Sequence, residues 1–312
     1  VTLLLGPSAH GVVRYARELS AAGGLPVGDD GERMHVHVTD RALAATPADA
    51  AARIEALAER APLTVTLHDV PQESDGERNL RRRGDAYRRI AAAARGVAVS
   101  SEHEKALVAE HLGIDTVVIP LGVRRSRAPE SEPPRPRADV LLAGFVYPGK
   151  GHEDAIVAAS VLSARLGEIV TVRALGGVSD GHADEAERLG RLAESLGVGF
   201  VVTGFLDDAE YTTRLRGDGI PLIAHRHISA SRSLLDWIDE GRRPLVIASP
   251  YVEETARLRP GTVTPYRSLP DALEAAWREP ASTVLPTGAP LGPTLADSAA
   301  QYRRWWNEAV AW

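Results

Sequence analysis

Short β-branched runs alternate with Ala-, Leu- and Arg-rich stretches along nearly the whole chain, and no other feature constrains its fold as strongly. VTLLLG (1–6), MHVHVTD (34–40), LTVTLHD (63–69), GVAVS (96–100) and TVVIPLG (116–122) read as strands. GVVRYARELSAA and DAAARIEALAERA read as helices, the first with Val12, Val13, Ala16 and Leu19 on one apolar face. Alternation of this kind predicts a parallel sheet covered by helices. RRSRAPESEPPRPR (124–137) then interrupts it with four prolines, many charges and almost nothing apolar, the composition of a linker. Beyond it the pattern restarts with ADVLLAGF, EIVTVRALGG, GFVVTGF, GIPLIAH, RPLVIAS and GTVTPY. The expected fold is α/β, with two tandem doubly wound Rossmann-like domains at 1–123 and 138–290 facing a central cleft. Such folds take ligands at the carboxyl ends of their strands. The tail, 291–312, contains ADSAAQYRRWWNEAVAW, an amphipathic helix whose Trp-rich face needs a partner.

Composition narrows the function classes. Of 312 residues, 44% are hydrophobic and 25% charged, enough apolar material for real cores. A net charge of −6 offers no basic excess to track a phosphodiester backbone, so nucleic acid is not an expected partner. The chain has no cysteine, which excludes disulfides, a thiolate metal site and a Cys nucleophile, and suits a reducing cytoplasm. No apolar run approaches the ~20 residues that span a bilayer. VTLLLGPSAHG has too short an apolar part, and no basic flank, for a signal peptide. A cytoplasmic protein with no strong membrane signal is expected, and an oligomer is compatible with the sequence.

The chemistry concentrates in two places. GFVYPGKGH (144–152) has the frame G-x-x-x-x-G-K of a phosphate-binding loop, at the end of an apolar strand and the start of a helix. A nucleotide-hydrolysing loop continues with Ser or Thr and needs an acid on a nearby strand for Mg²⁺. Here Gly151 follows, and no such acid is evident. The plainer reading is a strand-to-helix turn with an exposed Lys; glycines on both sides of Lys150 argue instead for close backbone approach to a ligand. The second place is HRHISASRSLLDWIDEGRRPLVIAS (225–249). Ser229 or Ser231 can cap a helix there, whose free N–H groups suit an anion. Asp236, further in, can accept hydrogen bonds from ribose hydroxyls. The plainer reading is an ordinary capped helix carrying surface acids.

In this order the motifs resemble the retaining glycosyltransferases of the GT-B fold, family 4, over nearly the whole chain. VIPLGV (118–123) looks like the strand closing the first domain, and LLAGFVYPGKGHEDAIVAASVL like the "G-R-x-x-x-x-K-G" opening of the second. VRALGG and VVTGFLDDAEYTTRL are similar to the "G-x-G" and "v-x-f-x-G" segments, and SLLDWIDEGRRPLVIAS to "L-x-E-A-x-A-x-G-x-P-V-I". The Trp-rich tail is similar to the family's last helix, which crosses back to the first domain.

The resemblance implies a hexosyltransferase that uses a nucleotide-diphospho-sugar donor and requires no metal or other cofactor. Lys150, in the loop with Gly149, would contact the donor diphosphate. The Arg that usually follows the strand glycine is Phe145 here, with Arg226 or Arg232 as candidates to replace its charge. Pro7 to Gly11 occupy the first acceptor-side loop, so His10 and the Gly11 amide would border the donor. His68, at the end of TVTLH, would lie near the transferred sugar and orient it; a strand-end His bonded to a neighbouring loop is the plainer reading. The family's two glutamates, eight positions apart, map onto Asp236 and Ile228, and His227, Ser229 or a backbone amide would replace the missing first acid, with Ala230 and Ser231 alongside. The nucleobase would lie near Ala174–Gly177, including Gly176, and near Gly204 and Phe205. His35 and His37 alternate on one strand face with no third metal ligand evident, and read as structural.

The reaction implied is transfer of a hexose with retention to a sugar or small polar acceptor. Charge builds on the departing diphosphate, where Lys150 and helix-start amides would stabilise it. Arg- and Ala-rich usage, common in high-GC actinomycetes that carry mannosyltransferases of this type, points to GDP-mannose ahead of UDP-glucose. Two other classes stand beside this one: a non-catalytic sugar-nucleotide-binding partner, which the absent Arg and Glu favour, and a sugar-nucleotide epimerase of the same form, which would need more acids. A dehydrogenase would need G-x-G-x-x-G after a strand, and none occurs.

Overall fold

The computed structural model describes residues 1–4, 11–130, 138–179, 181–225, 228 and 230–312. The chain divides into two compact units, Val1–Arg124 with Pro293–Trp312, and Arg125–Gly292.

In the first unit β1 (Thr2–Leu4), β2 (Met34–Val38), β3 (Leu63–Leu67), β4 (Val97–Val99) and β5 (Val117–Val118) form a parallel sheet in that spatial order. Its helices are α1 (Gly11–Gly23), α2 (Asp40–Leu43), α3 (Pro47–Arg60), α4 (Glu77–Ala93) and α5 (Glu102–Leu112). After α1 the chain first touches the outer edge of β1, through a parallel bridge from Val27 to Leu3, and only then crosses to β2. The winding direction therefore reverses at β1.

Register divides the central strands by face. His35 pairs with Thr64 and His37 with Thr66, while Met34, Val36 and Val38 pair with Leu63, Val65 and Leu67. Successive side chains on a strand point to opposite faces. One face of β2 and β3 is therefore wholly aliphatic, and it forms the core with α3, α4 and α5. The other carries histidines and threonines.

The second unit holds β6 (Val140–Ala143), β7 (Thr171–Leu175), β8 (Gly199–Val202), β9 (Ile220–Ile223), β10 (Leu245–Ile247) and β11 (Thr264–Tyr266). They form one parallel sheet, ordered β11-β10-β9-β6-β7-β8. Between the strands run α6 (His152–Leu166), α7 (Ala183–Ser195), α8 (Asp208–Arg216), α9 (Arg232–Asp239) and α10 (Pro250–Leu258), and α11 (Leu269–Arg278) follows the last of them. Winding reverses at β6, whose neighbours are β7 and β9, so the loop after β6 lies at the switch point where open α/β sheets take ligands. Arg242 locks the base of this unit: buried, it donates to the carbonyls of Leu215 in the last turn of α8 and of Gly217 and Gly219 beyond it.

The last helix, α12 (Leu295–Glu308), belongs to the first unit and packs on α1. Thr294 and Asp297 start it with a reciprocal capping box. It brings Tyr302 and Trp306, both buried, onto the histidine face of the sheet. Residues 131–137 of the proline-rich stretch lie outside the described residues. Those just before them are knitted into the second unit, where the Ala128 amide donates to the Ala289 carbonyl and the Leu291 amide to the Ser126 carbonyl.

Candidate functional site

In the second unit the site begins at Gly144, which ends β6 with φ +99°. Gly149 and Gly151 flank Lys150 with φ +88° and +89°. At Gly151 the requirement is also spatial, because a Cβ there would lie 1.9 Å from the Ala224 carbonyl oxygen. This glycine lets the loop press against the end of β9 and stands at the N-cap of α6, where no side chain caps the helix. Gly176 permits a second close approach: a Cβ on it would lie 2.5 Å from the Gly144 carbonyl oxygen.

These approaches turn Lys150 inward, and it is 6% exposed rather than projecting into solvent. Its Nζ donates to Ser233 Oγ in the first turn of α9 at 3.3 Å, and lies 5.9 Å from the centre of the Tyr147 ring. Lys150 thus stands by the starts of both α6 and α9, the positive ends of two helices. Burial lowers its pKa to about 7, outweighing the attraction of Asp236. Ser231 caps α9, its Oγ accepting from the Leu234 amide at 3.2 Å. Asp236 is buried and accepts from Tyr211 at 3.3 Å. Arg232 is paired with acids of its own helix, Asp236 at 3.4 Å and Asp239 at 3.5 Å.

Sequence reasoning missed two groups here, His152 and His225. Both are buried and lie close enough to Lys150 for its charge to hold them neutral, after burial itself. Burial and Lys150 lower the His152 pKa to about 3 and push that of His225 well below its ordinary value. Both ring nitrogens of His152, and Nδ1 of His225, lack a hydrogen-bond partner among the described residues. The available signal was adjacency alone: one follows the glycine–lysine loop and the other ends a strand.

Phe145 and Phe205 are exposed at the carboxyl ends of β6 and β8, the latter 85%. A Cβ on Gly177, after β7, would be 3.7 Å from the Phe205 amide and 4.0 Å from the Phe145 ring, so the two segments flank a floor of glycine. Gly204 takes φ +78° beside them. Ile228 is buried and Ala230 half-buried. His10, Arg226, His227 and Ser229 lie outside the described residues.

In the first unit, His68 follows β3 and is 6% exposed. Its amide donates to Val38, and its carbonyl accepts from the Tyr87 hydroxyl at 3.0 Å. Its ring Nε2 lies 2.9 Å from His37 Nδ1, and its Nδ1 lies 3.4 Å from Ser100 Oγ. His35 is bonded on both nitrogens, to Thr64 and Thr66, and Thr66 in turn to Tyr302 at 2.7 Å. Burial lowers the His35 pKa to about 3 and holds His37 well below its ordinary value, the nearby histidines adding to both effects. The next residue, Asp69, has φ +50°, and Arg83 of α4 holds the turn by pairing with Asp69 at 2.9 Å, Asp75 at 2.6 Å and Asp40 at 3.2 Å. Gly11 opens α1. No group of three or more His, Asp or Glu side chains among the described residues is placed to hold a metal. No helix among them is long and apolar enough to cross a membrane.

No protein-family model and no curated protein matches the chain in sequence. Solved structures do match in fold. Anabaena HepE, in complex with UDP and glucose, is similar with a TM-score of 0.68 at 14% identity, over 97% of this chain and 94% of HepE. Sucrose-phosphate synthase from Thermosynechococcus elongatus follows at 0.62 and 15%, over 94% of this chain and 73% of the synthase. TarM gives 0.61 at 11%, over 89% of this chain, which spans 52% of TarM's length. These neighbours are GT-B glycosyltransferases, and the fold of this chain, two parallel-sheet Rossmann-like halves, is theirs.

Proposed function

We propose that this protein is a glycosyltransferase that moves a hexose from a nucleoside-diphosphate donor to a sugar or small polar acceptor, with retention and without a metal. One observation carries the reading: a buried lysine on a glycine loop at the switch point of the second sheet, beside two helix starts. A lysine so enclosed lacks a full counter-charge, and a diphosphate would supply one. As the sugar–phosphate bond breaks, negative charge grows on the departing diphosphate, and Lys150 with the α6 and α9 amides would stabilise it. The glycine floor and its two phenyl rings suit the planar base, and Asp236 the ribose. His68 would orient the sugar. The absence of cysteine fits a cytoplasmic setting.

Calorimetry and thermal shift with a donor panel test the proposal. The panel must contain UDP-glucose, because HepE structures hold UDP-glucose, and GDP-mannose, which residue usage favours. A selective donor at about 100 times its Kd should stabilise the protein by roughly 2.7 kcal/mol. Lys150→Ala should abolish that gain, and the wild type should hydrolyse or transfer the sugar. No stabilisation by any donor would sink the proposal. Binding without turnover would support the second reading, a sugar-nucleotide-binding partner, which Phe145 and Ile228 favour because each stands where the family carries a charge.

A further inference from the structure

A lysine at the tip of a glycine-flanked loop stays buried only if something holds it there, and the polar contacts of Lys150 form a line that leads outward to another helix. Its Nζ donates to Ser233 Oγ at 3.3 Å. Ser233 Oγ lies 3.2 Å from Ser231 Oγ, which also accepts from the Leu234 amide as the N-cap of α9. The Ser231 amide in turn donates to the Tyr251 hydroxyl at 3.2 Å. Tyr251 is buried and stands in the first turn of α10.

Each link has a local cause. The amide of an N-cap residue has no partner within its own helix, and a buried N–H left unmet is costly. Ser231 is buried, so its amide needs an acceptor from another element. Tyr251 is built to supply one. Ser249 caps α10, its Oγ accepting from the Val252 amide at 3.3 Å, and Pro250 opens the helix with its fixed φ. The tyrosine hydroxyl is then only two side-chain torsions away from a fixed backbone. The elements meet because their strands adjoin: β10 pairs with β9, and β9 with β6. Tyr251 lies beyond β10, Ser231 and Ser233 beyond β9, and Lys150 beyond β6. The hydrogen bonds thus tie three successive loops at the carboxyl edge of one sheet.

We propose that Tyr251 is a positioning residue for the anion site: by accepting the Ser231 amide it fixes the start of α9, and through Ser231 and Ser233 it keeps Lys150 turned inward, ready for a phosphate. The bearing on a sugar-nucleotide donor rests on the reading of the protein as a glycosyltransferase; the relay of hydrogen bonds does not. The charged and titratable groups around Lys150 are Asp236 on α9, His152 on α6 and His225 after β9. Tyr251→Phe alters none of them. It keeps the ring and removes the acceptor, so a change in the titration of Lys150 would report a change in its position.

The chain has two lysines, Lys105 and Lys150, so nuclear magnetic resonance of the whole protein labelled with ¹³C-lysine gives one signal for each, and Lys105→Arg assigns them. Lys105, on α5 in the first unit, serves as an internal reference and should titrate alike in every variant. Wild-type Lys150 should titrate at about 7. In Tyr251→Phe its midpoint should rise by about one pH unit as solvent reaches it, because burial is the main cause of the lowered value. Ser233→Ala should move it the other way, by taking an acceptor from the charged form. At pH 6, where Lys150 is charged in both proteins, Tyr251→Phe should raise the Kd of a donor about tenfold through lost preorganisation. An unchanged Lys150 titration in folded Tyr251→Phe would overturn the inference. So would fast hydrogen exchange at the wild-type Ser231 amide, which the relay requires to be slow; that measurement decides even where the variant does not fold. If no donor binds while both signatures hold, the glycosyltransferase reading falls and the relay stands.

Discussion

The two units bury their histidines in different ways. In the first, His35 and His37 on β2 and His68 just after β3 are tied to their neighbours: His35 to two threonines, Thr66 to Tyr302, His68 to His37. In the second, His152 opens α6 and His225 follows β9, both beyond strand ends. Lys150 donates to Ser233 there, and both ring nitrogens of His152 and Nδ1 of His225 lack a partner among the described residues. A network that completes itself is rigid and selects one arrangement. A set of buried groups left incomplete is costly in the free protein and gains most from a ligand. Under the proposed function, the contrast would separate a unit that orients from a unit that binds.

That difference can be broken most severely at Gly151. Gly151→Ala forces a Cβ into the Ala224 carbonyl at a φ of +89°, and should destabilise the second unit by about 4 kcal/mol. Hydrogen exchange should show the loss in the second sheet while β2 and β3 stay protected. Equal loss in both would show that the units are not separate in stability. Next in size, Lys150→Ala should cost about a hundredfold in turnover, roughly 2.7 kcal/mol, as for removal of one preorganised donor. The same substitution should leave the melting temperature of the free protein unchanged or raised, since it removes a poorly paired buried charge.

Acidity sharpens the comparison. The folded pKa of Lys150, about 7, lies below its ordinary 10.5, so between these values the unfolded chain holds the extra proton. Stability should therefore rise as pH climbs from 7 towards 10.5, and Lys150→Met should flatten the rise. Donor affinity should fall over the same climb, because the anion needs the charged form. Calorimetry in buffers of different ionisation enthalpy checks this: binding at pH 8 should take up a proton in the wild type and not in the variant. The smallest effect expected is at Phe205. Phe205→Ala should weaken nucleotide binding by about 1 kcal/mol through lost stacking, without moving the melting temperature, because the ring is 85% exposed. Equal binding by the variant would remove the base from that position.

Much of the fold was legible because fully buried parallel strands are nearly continuous apolar or β-branched runs. Lengths were less so. TVVIPLG suggested a strand to the end of the run, yet only Val117–Val118 pair as one, since Pro120 has no N–H to continue the ladder. MHVHVTD stops at Val38, where Thr39 becomes the N-cap of α2. Lys150 was legible for a local reason, glycines on either side. The burial that gives it its chemistry was not, because it depends on Ala224, dozens of positions away. Nor were His152, His225 or Arg83: a histidine or arginine acquires its role from whichever strand end or turn the fold brings beside it. His35 and His37 read as structural; their strand register with Thr64 and Thr66, which sets them apart from each other, comes only with the paired sheet.

The split ownership of the first unit has a consequence during synthesis. Its sheet is made early, but Tyr302 and Trp306, which cover the histidine face, leave the ribosome only after the entire second unit. A nascent chain must therefore carry that face uncovered, its Thr66 hydroxyl without Tyr302, for most of its translation. A fragment stopped at Arg124 should bind hydrophobic dyes and resist folding until a peptide spanning 293–312 is added. The second unit, contiguous from Arg125 to Gly292, needs no such help. The part of the molecule that begins first is thus the part that finishes last.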